Sequence, residues 1–276
     1  MSRRYGLIAG NGRFPLLALE EARKLGDEVV AIGIREEAAP EIEQLAVRSF
    51  WISLGELGRL IEILKSEGIT EVMMAGQVKH ASIFSSIRPD WRLFKVLASL
   101  RQKNTAALIG GVAKVLADEG IQLTDSTALL KPLLSGPGTL TKRKPDSDEE
   151  KDAAYGRRIA NALADLDVGQ SVAVCGRACV ALEAMEGTDA MLRRAAALVN
   201  GQPLRLIKVS RRAHLLFDVP VVGPGTIKVM RETGTTLLAV DAGRTLLIDR
   251  EEMLALANES KIAVIAVSLQ DNPGSL

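Results

Sequence analysis

The sequence predicts an α/β protein, with an amino-terminal domain built on a parallel sheet and a second, mixed α/β domain behind it. Three observations carry this expectation. The chain has 276 residues, more than the roughly 100–200 of a usual domain. Through the first half, short apolar runs alternate with stretches of helical spacing, the pattern of a parallel sheet covered on both faces. In the second half, two apolar runs are separated only by Gly176 and Arg177, a hairpin signal that the first half lacks.

Taken in order, residues 5–9 read as a buried strand, 15–25 as a helix and 29–32 as a second strand, a βαβ unit of Rossmann-like type. A helix at 57–65, a buried strand at 71–75 ending at Gly76, helices at 91–100 and 106–118, and a strand at 121–123 follow. Gly136, Pro137 and Gly138, then mixed charges crowded into 142–150, mark 135–150 as a linker between domains at 1–134 and 151–276. The second half opens with a helix at 149–163 and the hairpin strands 171–175 and 178–182. Helices at 190–198, 226–233 and 251–258 then alternate with strands at 204–209, 236–240, 245–248 and 262–267.

Composition narrows the function classes. With 47% hydrophobic and 25% charged residues, the chain reads as an ordinary soluble globular protein. Its 35 Lys and Arg against 34 Asp and Glu give a net charge of +1, so no overall field draws it to nucleic acid. Cys175 and Cys179, with His80 and His214, are too few for a disulfide framework and barely enough for a zinc site, and the cysteines read as reduced core residues. The amino terminus leads into a strand rather than a cleavable leader, and no apolar run approaches the roughly 20 residues of a membrane span. The expected location is the cytoplasm.

Candidate chemistry falls at four places. Gly10-Asn11-Gly12-Arg13-Phe14-Pro15 follows a strand and opens a helix, where glycines permit a tight turn and free N–H groups can face phosphate. Pro15 stands at the third glycine position of a dinucleotide fingerprint, which favours a nucleotide or sugar-nucleotide site over a dehydrogenase site; a plain strand–helix turn is the simpler alternative. Glu183, Glu186 and Asp189 crowd around Gly187 before a helix that Thr188 or Asp189 is placed to cap, and hard oxygens of this kind suit Mg²⁺. Asp218 lies in an apolar, proline-containing segment, so it is either salt-bridged, with Lys208 or Arg211 as partners, or functional. Lys142, Arg143 and Lys144 read as a solvated turn or as a phosphate-facing strip.

A resemblance joins these places. Gly-Leu-Ile-Ala-Gly-Asn-Gly-Arg-Phe-Pro at 6–15, Met-Ala-Gly-Gln-Val at 74–78, Ile-Arg-Pro-Asp at 87–90, Leu-Thr-Lys-Arg-Lys-Pro at 140–145, Asp-Val-Gly-Gln-Ser-Val at 167–172, Glu-Ala-Met-Glu-Gly-Thr-Asp-Ala-Met-Leu-Arg-Arg at 183–194 and Phe-Asp-Val-Pro-Val-Val-Gly at 217–223 occur in this order. Together they resemble the LpxI-type UDP-2,3-diacylglucosamine pyrophosphatases. The resemblance implies two α/β domains with the substrate between them, and a hydrolase of lipid A biosynthesis that releases UMP and 2,3-diacylglucosamine 1-phosphate with Mg²⁺ as cofactor. It implies Asp218, Glu186 and Asp189 as catalytic residues, with Asp218 and Asp189 toward the metal. Gly10, Asn11, Gly12, Gln77, Lys79, Lys142, Gln170, Thr188 and Lys208 are the residues expected to bind substrate. One segment departs from the family pattern: where Lys-Pro-x-Gln-Asp-x-Arg is common, this chain has Ser210-Arg211-Arg212-Ala213-His214-Leu215-Leu216.

A substrate with two acyl chains, each CH₂ contributing about 0.8 kcal/mol of membrane affinity, implies an enzyme that meets the cytoplasmic face of the inner membrane peripherally. A homodimer is compatible with this picture. Helices at 93–100 or 191–199 are candidates to line an acyl groove, an ordinary core face being the simpler reading of each. The alternatives are a diverged homologue that binds nucleotide or lipid without turnover or acts on another sugar nucleotide, and a nicotinamide-dependent oxidoreductase built on 10–15. The oxidoreductase lacks a ribose-binding acid, because Glu36 and Glu37 fall in a charged turn past the second strand.

Overall fold

The computed structural model describes residues 3–76, 78, 88–100, 105–125, 127, 129–210 and 219–268, with the backbone alone at 105 and 106. The chain divides into two compact units, Met1–Leu130 and Lys131–Leu276.

In the first unit the strands β1 (Arg4–Ala9), β2 (Glu28–Ile34), β3 (Arg48–Ile52), β4 (Glu71–Ala75) and β5 (Gln122–Leu123) form one sheet in the order β3-β2-β1-β4-β5. Every pairing in it is parallel. Central β1 and β2 are buried on both faces, which is why they are continuous apolar runs. Helices α1 (Phe14–Leu25), α2 (Ile42–Leu45), α3 (Leu57–Ser66), α4 (Trp91–Ser99) and α5 (Thr105–Asp118) connect the strands. In this unit β3 and α2 are the elements that sequence reading missed. β3 lies at the sheet edge and buries only Ile52 fully, so it lacks the apolar run of a central strand. It is seated through Gly33: a Cβ there would lie 2.6 Å from the Trp51 ring.

The second unit carries a mixed sheet, ordered β6-β13-β11-β9-β7-β8, from β6 (Gly138–Thr139), β7 (Ser171–Cys175), β8 (Ala178–Leu182), β9 (Leu204–Lys208), β11 (Thr235–Asp241) and β13 (Ala263–Val267). β9, β11 and β13 run parallel, and β7, β8 and β6 are antiparallel to their neighbours. β10 (Val221–Val222) pairs with β12 (Leu246–Leu247) apart from it. The α/β class and the two-domain organisation expected from the sequence are present, as is the hairpin. Its turn residues Gly176 and Arg177 take φ of 57° and 59°, the left-handed pair of a two-residue turn. Their N–H groups donate to the Asp152 carboxylate.

Helix α6 (Ser147–Asp165) covers one face of this sheet through Ala153, Ala160 and Leu163 against Val172, Ile207 and Ala239. Helices α7 (Thr188–Leu198), α8 (Pro224–Glu232) and α9 (Arg250–Glu259) supply the other core, with Met191, Leu192, Ile227, Met230 and Met253 against Leu206, Leu238 and Val240.

The segment 135–150, expected as a linker, is instead part of the second unit. The Ser135 N–H donates to Thr245, β6 pairs with β13, and Thr141 accepts from the Val264 N–H. Arg143 grips Glu149 with both guanidinium branches at 2.8 and 2.9 Å. Asp146 and Glu149 form a reciprocal capping box that starts α6 two residues before the expected position. Charge crowding marked this segment as solvated, whereas Arg143 and Glu149 are committed to each other.

Candidate active site

In the second unit, Lys208 ends β9 and stands in register with Ser171, which begins antiparallel β7. Glu183 follows the last residue of β8, and Asp241 ends β11. Antiparallel entry of β7 and parallel exit of β9 and β11 therefore bring these side chains to one edge, the carboxyl edge of the parallel strands, where α/β proteins place ligands.

Four side chains there form a single network. Thr188 donates from Oγ1 to Glu183 Oε1 at 2.8 Å, and Lys208 donates from Nζ to Thr188 Oγ1 at 3.1 Å. Ser171 Oγ lies 3.2 Å from the same hydroxyl. The second oxygen of Glu183 accepts from the Gln170 N–H at 3.3 Å. Both Glu183 and Lys208 are buried, at 7% and 9% exposure, so each charge depends on this network for its solvation. Thr188 is not the expected helix cap. Gly187, at φ 82°, occupies the N-cap and Thr188 is the first helical residue, its hydroxyl turned to the network. Among the described residues, one of the three ammonium protons of Lys208 has a partner. The side-chain oxygen of Gln170 is buried and has none among the described residues. The arrangement thus offers a buried cation whose ammonium donates to Thr188, with Gln170 joined to the network through its backbone N–H.

Beside it, Asp241 is fully buried and accepts from the Ser210 N–H at 2.7 Å, and its other oxygen lies 2.7 Å from a guanidinium nitrogen of Arg157. That contact is an ion pair without hydrogen-bond alignment. The pair fixes the point where the chain leaves β9 toward the segment bearing Asp218. Asp218 itself, Gln77, Lys79, His80, Arg211, Arg212 and His214 lie outside the described residues.

Other expected site residues are placed differently. Glu186 is exposed and held by Arg194 at 2.6 Å; a backbone hydrogen bond within its own residue and the Arg194 guanidinium keep its carboxyl below the usual range. Asp189, in the first turn of α7, is exposed and has no hydrogen-bond partner among the described residues. Lys142 is not brought to the network. Its N–H is bonded to Asn258, and its neighbour Arg143 reaches the carbonyls of Thr236 and Lys261, just inside β11 and just before β13. That is the amino edge of the sheet, separated from Asp241 by about five residues of strand, on the order of 17 Å. Arg143 is a structural residue rather than part of a phosphate-facing strip.

In the first unit, Gly10, Asn11 and Gly12 leave β1 at the carboxyl edge of its sheet, with Asn11 and Gly12 exposed. Strand order turns here, β2 lying on one side of β1 and β4 on the other, which makes this loop the topological switch point. Gly10 donates its N–H to Ala75 at 2.8 Å. Gly76, at φ 91°, lies so close that a Cβ would meet the Asn11 carbonyl oxygen at 2.6 Å. The two loops are joined by the Gly10–Ala75 hydrogen bond, and their close approach requires glycine at 76. Pro15, buried in the first turn of α1, removes one of the N–H donors that a phosphate would otherwise meet there.

No group of three or more His, Cys, Asp or Glu residues is arranged to hold a metal among the described residues. Mg²⁺ commonly takes only one or two carboxylates and completes its shell with water and substrate phosphates; among the described residues Asp189 is an exposed carboxylate without a hydrogen-bond partner. Sequence reading did not single out Ser171, Asp241 or Arg157, and treated Glu183 only as one of several acids. The available signal was a carboxylate closing an otherwise apolar strand, as Asp241 does.

A family model described as the LpxI N-terminal domain matches residues 4–133, and one described as the LpxI C-terminal domain matches 136–265. The UDP-2,3-diacylglucosamine pyrophosphatase LpxI of Caulobacter vibrioides is 31% identical over 282 aligned residues, covering 98% of this chain and 100% of that protein. Among solved structures, the biotin carboxylase domain of a thermophilic 2-oxoglutarate carboxylase bound to ADP is 13% identical, with a TM-score of 0.29, 63% of this chain covered and 35% of that one. N5-carboxyaminoimidazole ribonucleotide synthetase from Thermotoga maritima gives 13%, 0.28, 62% and 33%. This chain spans about a third of those two structures, and likenesses so low carry no functional weight.

Proposed function

The chain belongs to the LpxI family, and from that premise we propose that it hydrolyses the pyrophosphate bond of UDP-2,3-diacylglucosamine, giving UMP and 2,3-diacylglucosamine 1-phosphate. The observation that supports this reading best is the Lys208–Thr188–Glu183 network at the carboxyl edge of the second sheet. Its chemistry suits a phosphate. Among the described residues Lys208 uses one of its three donors, and its buried ammonium is held in place by Thr188, so neutralising a phosphate oxygen requires little reorganisation.

In the proposed roles, Lys208 binds a phosphate oxygen, Glu183 orients Thr188 so that its hydroxyl oxygen faces the ammonium, and the Gln170 side-chain oxygen accepts from a hydroxyl or amide of the substrate. The Gly10–Gly12 turn offers backbone N–H groups to the nucleotide, and Gln77 and Lys79 are assigned to the same task. Asp189 and Asp218 would hold Mg²⁺. When bound, that ion screens the two phosphates and makes a water more acidic. Asp218 orients the attacking water, whose oxygen forms the new bond to phosphorus as the bridging P–O bond breaks. Glu186, tied to Arg194, supports the loop that presents Asp189. Because the substrate is anchored in a bilayer, the enzyme meets it at the membrane surface, and among the described residues no helix is long and apolar enough to cross it.

The test is release of UMP from UDP-2,3-diacylglucosamine by the wild type, by Asp218→Asn and by the wild type with EDTA. Absence of UMP release overturns the activity. Near-normal turnover by Asp218→Asn overturns that residue's role, and indifference to EDTA overturns the assignment of Mg²⁺.

A further inference from the structure

The geometry points to the outer face of α4 as a docking surface for the anionic surface of a phospholipid bilayer. The inference builds on the reading above only in that a bilayer lipid is the substrate. Its own basis is the helix.

Trp91 and Phe94 are 67% and 50% exposed and stack on each other, with ring centroids 5.6 Å apart and planes 14° from parallel. The ammonium of Lys95 sits 5.2 Å above the Trp91 ring. With Ala98, these residues recur at helical spacing along one stripe, while Leu93 and Val96 on the opposite side are buried. The inner face is thus the ordinary core face, and the exposed one is aromatic. In a chain with only 5 Phe, 2 Trp and 2 Tyr, two stacked aromatics left in water on one short helix exceed the scatter of single exposed apolar residues. Trp in particular favours the boundary between hydrocarbon and headgroup.

Charge selects the partner. The sequence from 88 to 103 holds Arg88, Arg92, Lys95, Arg101 and Lys103 against Asp90 alone. Asp90 is already committed: its carboxylate caps α4 by accepting from the Leu93 N–H at 2.8 Å and also takes the Gly58 N–H at 2.6 Å. Arg92 is paired with Glu119, which Lys65 also shares. Among the described residues, Arg88 and Lys95 remain as cations just before and on this aromatic helix without an acidic partner, in a protein whose net charge is only +1. An interfacial helix with this composition binds anionic lipid through apolar insertion and electrostatic attraction together. A second copy of this chain is a poorer match, because a two-fold contact would set the same cations against themselves.

The experiment is co-sedimentation of the full chain with vesicles of phosphatidylcholine alone or mixed with phosphatidylglycerol, for the wild type, the double variant Trp91→Ser/Phe94→Ser, and Lys95→Glu. The wild type is expected to bind the anionic vesicles in preference, and to release them at high salt. The double variant should lose about tenfold or more in partition, and Lys95→Glu a smaller factor. Both variants should keep the wild-type melting temperature and the wild-type rate on detergent-dispersed UDP-2,3-diacylglucosamine, since the changes lie on an exposed face. Equal sedimentation of wild type and double variant, or no preference for anionic vesicles, overturns the docking surface while leaving the hydrolase reading intact. A wild-type dimer that the double variant converts to monomer also overturns it and assigns the stripe to self-association. Stripe-dependent vesicle binding without UMP release separates the cases the other way, sustaining the surface and refuting the activity.

Discussion

Lys208, the last residue of β9, donates to the hydroxyl of Thr188, the first residue of α7, and Thr188 spends its own proton on Glu183. The ammonium is therefore positioned by a carboxylate it does not touch. Lys208→Met keeps most of the buried stem and removes the charge, so the fold should persist while kcat/KM falls about 10²-fold or more, the scale for losing one preorganised charge-stabilising group. A fall of less than about threefold, measured beside an unchanged melting temperature, would exclude Lys208 from phosphate contact.

Glu183 is a positioning residue on this account, and its variants separate charge from geometry. Glu183→Gln retains an acceptor for Thr188 and should keep more activity than Glu183→Ala, which frees the hydroxyl to turn away and leaves Lys208 buried without its support. About tenfold between the two in kcat/KM, corresponding to 1.4 kcal/mol, with similar thermal stability, is the expected result. Equal losses in both would mean that the carboxylate acts through its charge.

Lys142 gives the opposite expectation. It stands at the amino edge of the sheet, exposed, with its backbone held by Asn258. Lys142→Ala should leave kcat/KM within about twofold and stability within roughly 0.5 kcal/mol, as for surface substitutions away from a site. A large loss of activity would contradict the separation of the two edges.

Gly76→Ala tests the switch point of the first unit. The added methyl would meet backbone atoms of Gly10 and Asn11 at 2.6 to 3.0 Å, at a φ of 91° that L residues rarely adopt. Destabilisation of about 2–3 kcal/mol is expected, read by urea denaturation. UMP affinity should fall with it if the Gly10–Gly12 loop faces the nucleotide.

The Arg143–Glu149 pair makes stability depend on pH. Burial pushes the Glu149 carboxyl up, but hydrogen bonds from Arg143, Thr236 and the Asp146 backbone outweigh it and hold the group below its ordinary 4.5. A lowered folded-state value stabilises fully above the unfolded value and is lost as pH falls through the folded one. Arg143→Ala should therefore cost about 3 kcal/mol at neutral pH, the cost of stranding a buried charge. The gap to wild type should close as pH drops below 4.5. Denaturation midpoints across that range check it, and a constant gap would rule the pair out.

Much of the fold was legible because burial writes itself into local pattern. β4 and β7 have the bounds their apolar runs suggested, since strands buried on both faces must be apolar throughout. The edge strand β8, only partly buried, was legible instead through the two-residue turn that joins it to β7. β3 was illegible for the converse reason: at a sheet edge Arg48, Ser49 and Trp51 remain partly exposed, and the strand exists through its neighbour β2. The segment 135–150 misled because composition cannot tell a solvated charge from Arg143 paired to Glu149 across a capping box.

The sequence by itself determined the α/β class, the division into two domains and the family, since these rest on periodicity and on motifs contiguous in the chain. It also brought out Thr188 and Lys208 as candidates. Only the tertiary structure decided that the two meet, that Glu183 orders them, that Lys142 stands at the far edge and that Trp91 and Phe94 face outward. The physical reason is that strand direction decides which edge a terminal residue reaches. Antiparallel β7 begins where parallel β9 ends, so Ser171 and Lys208 are neighbours although 37 positions separate them in the chain.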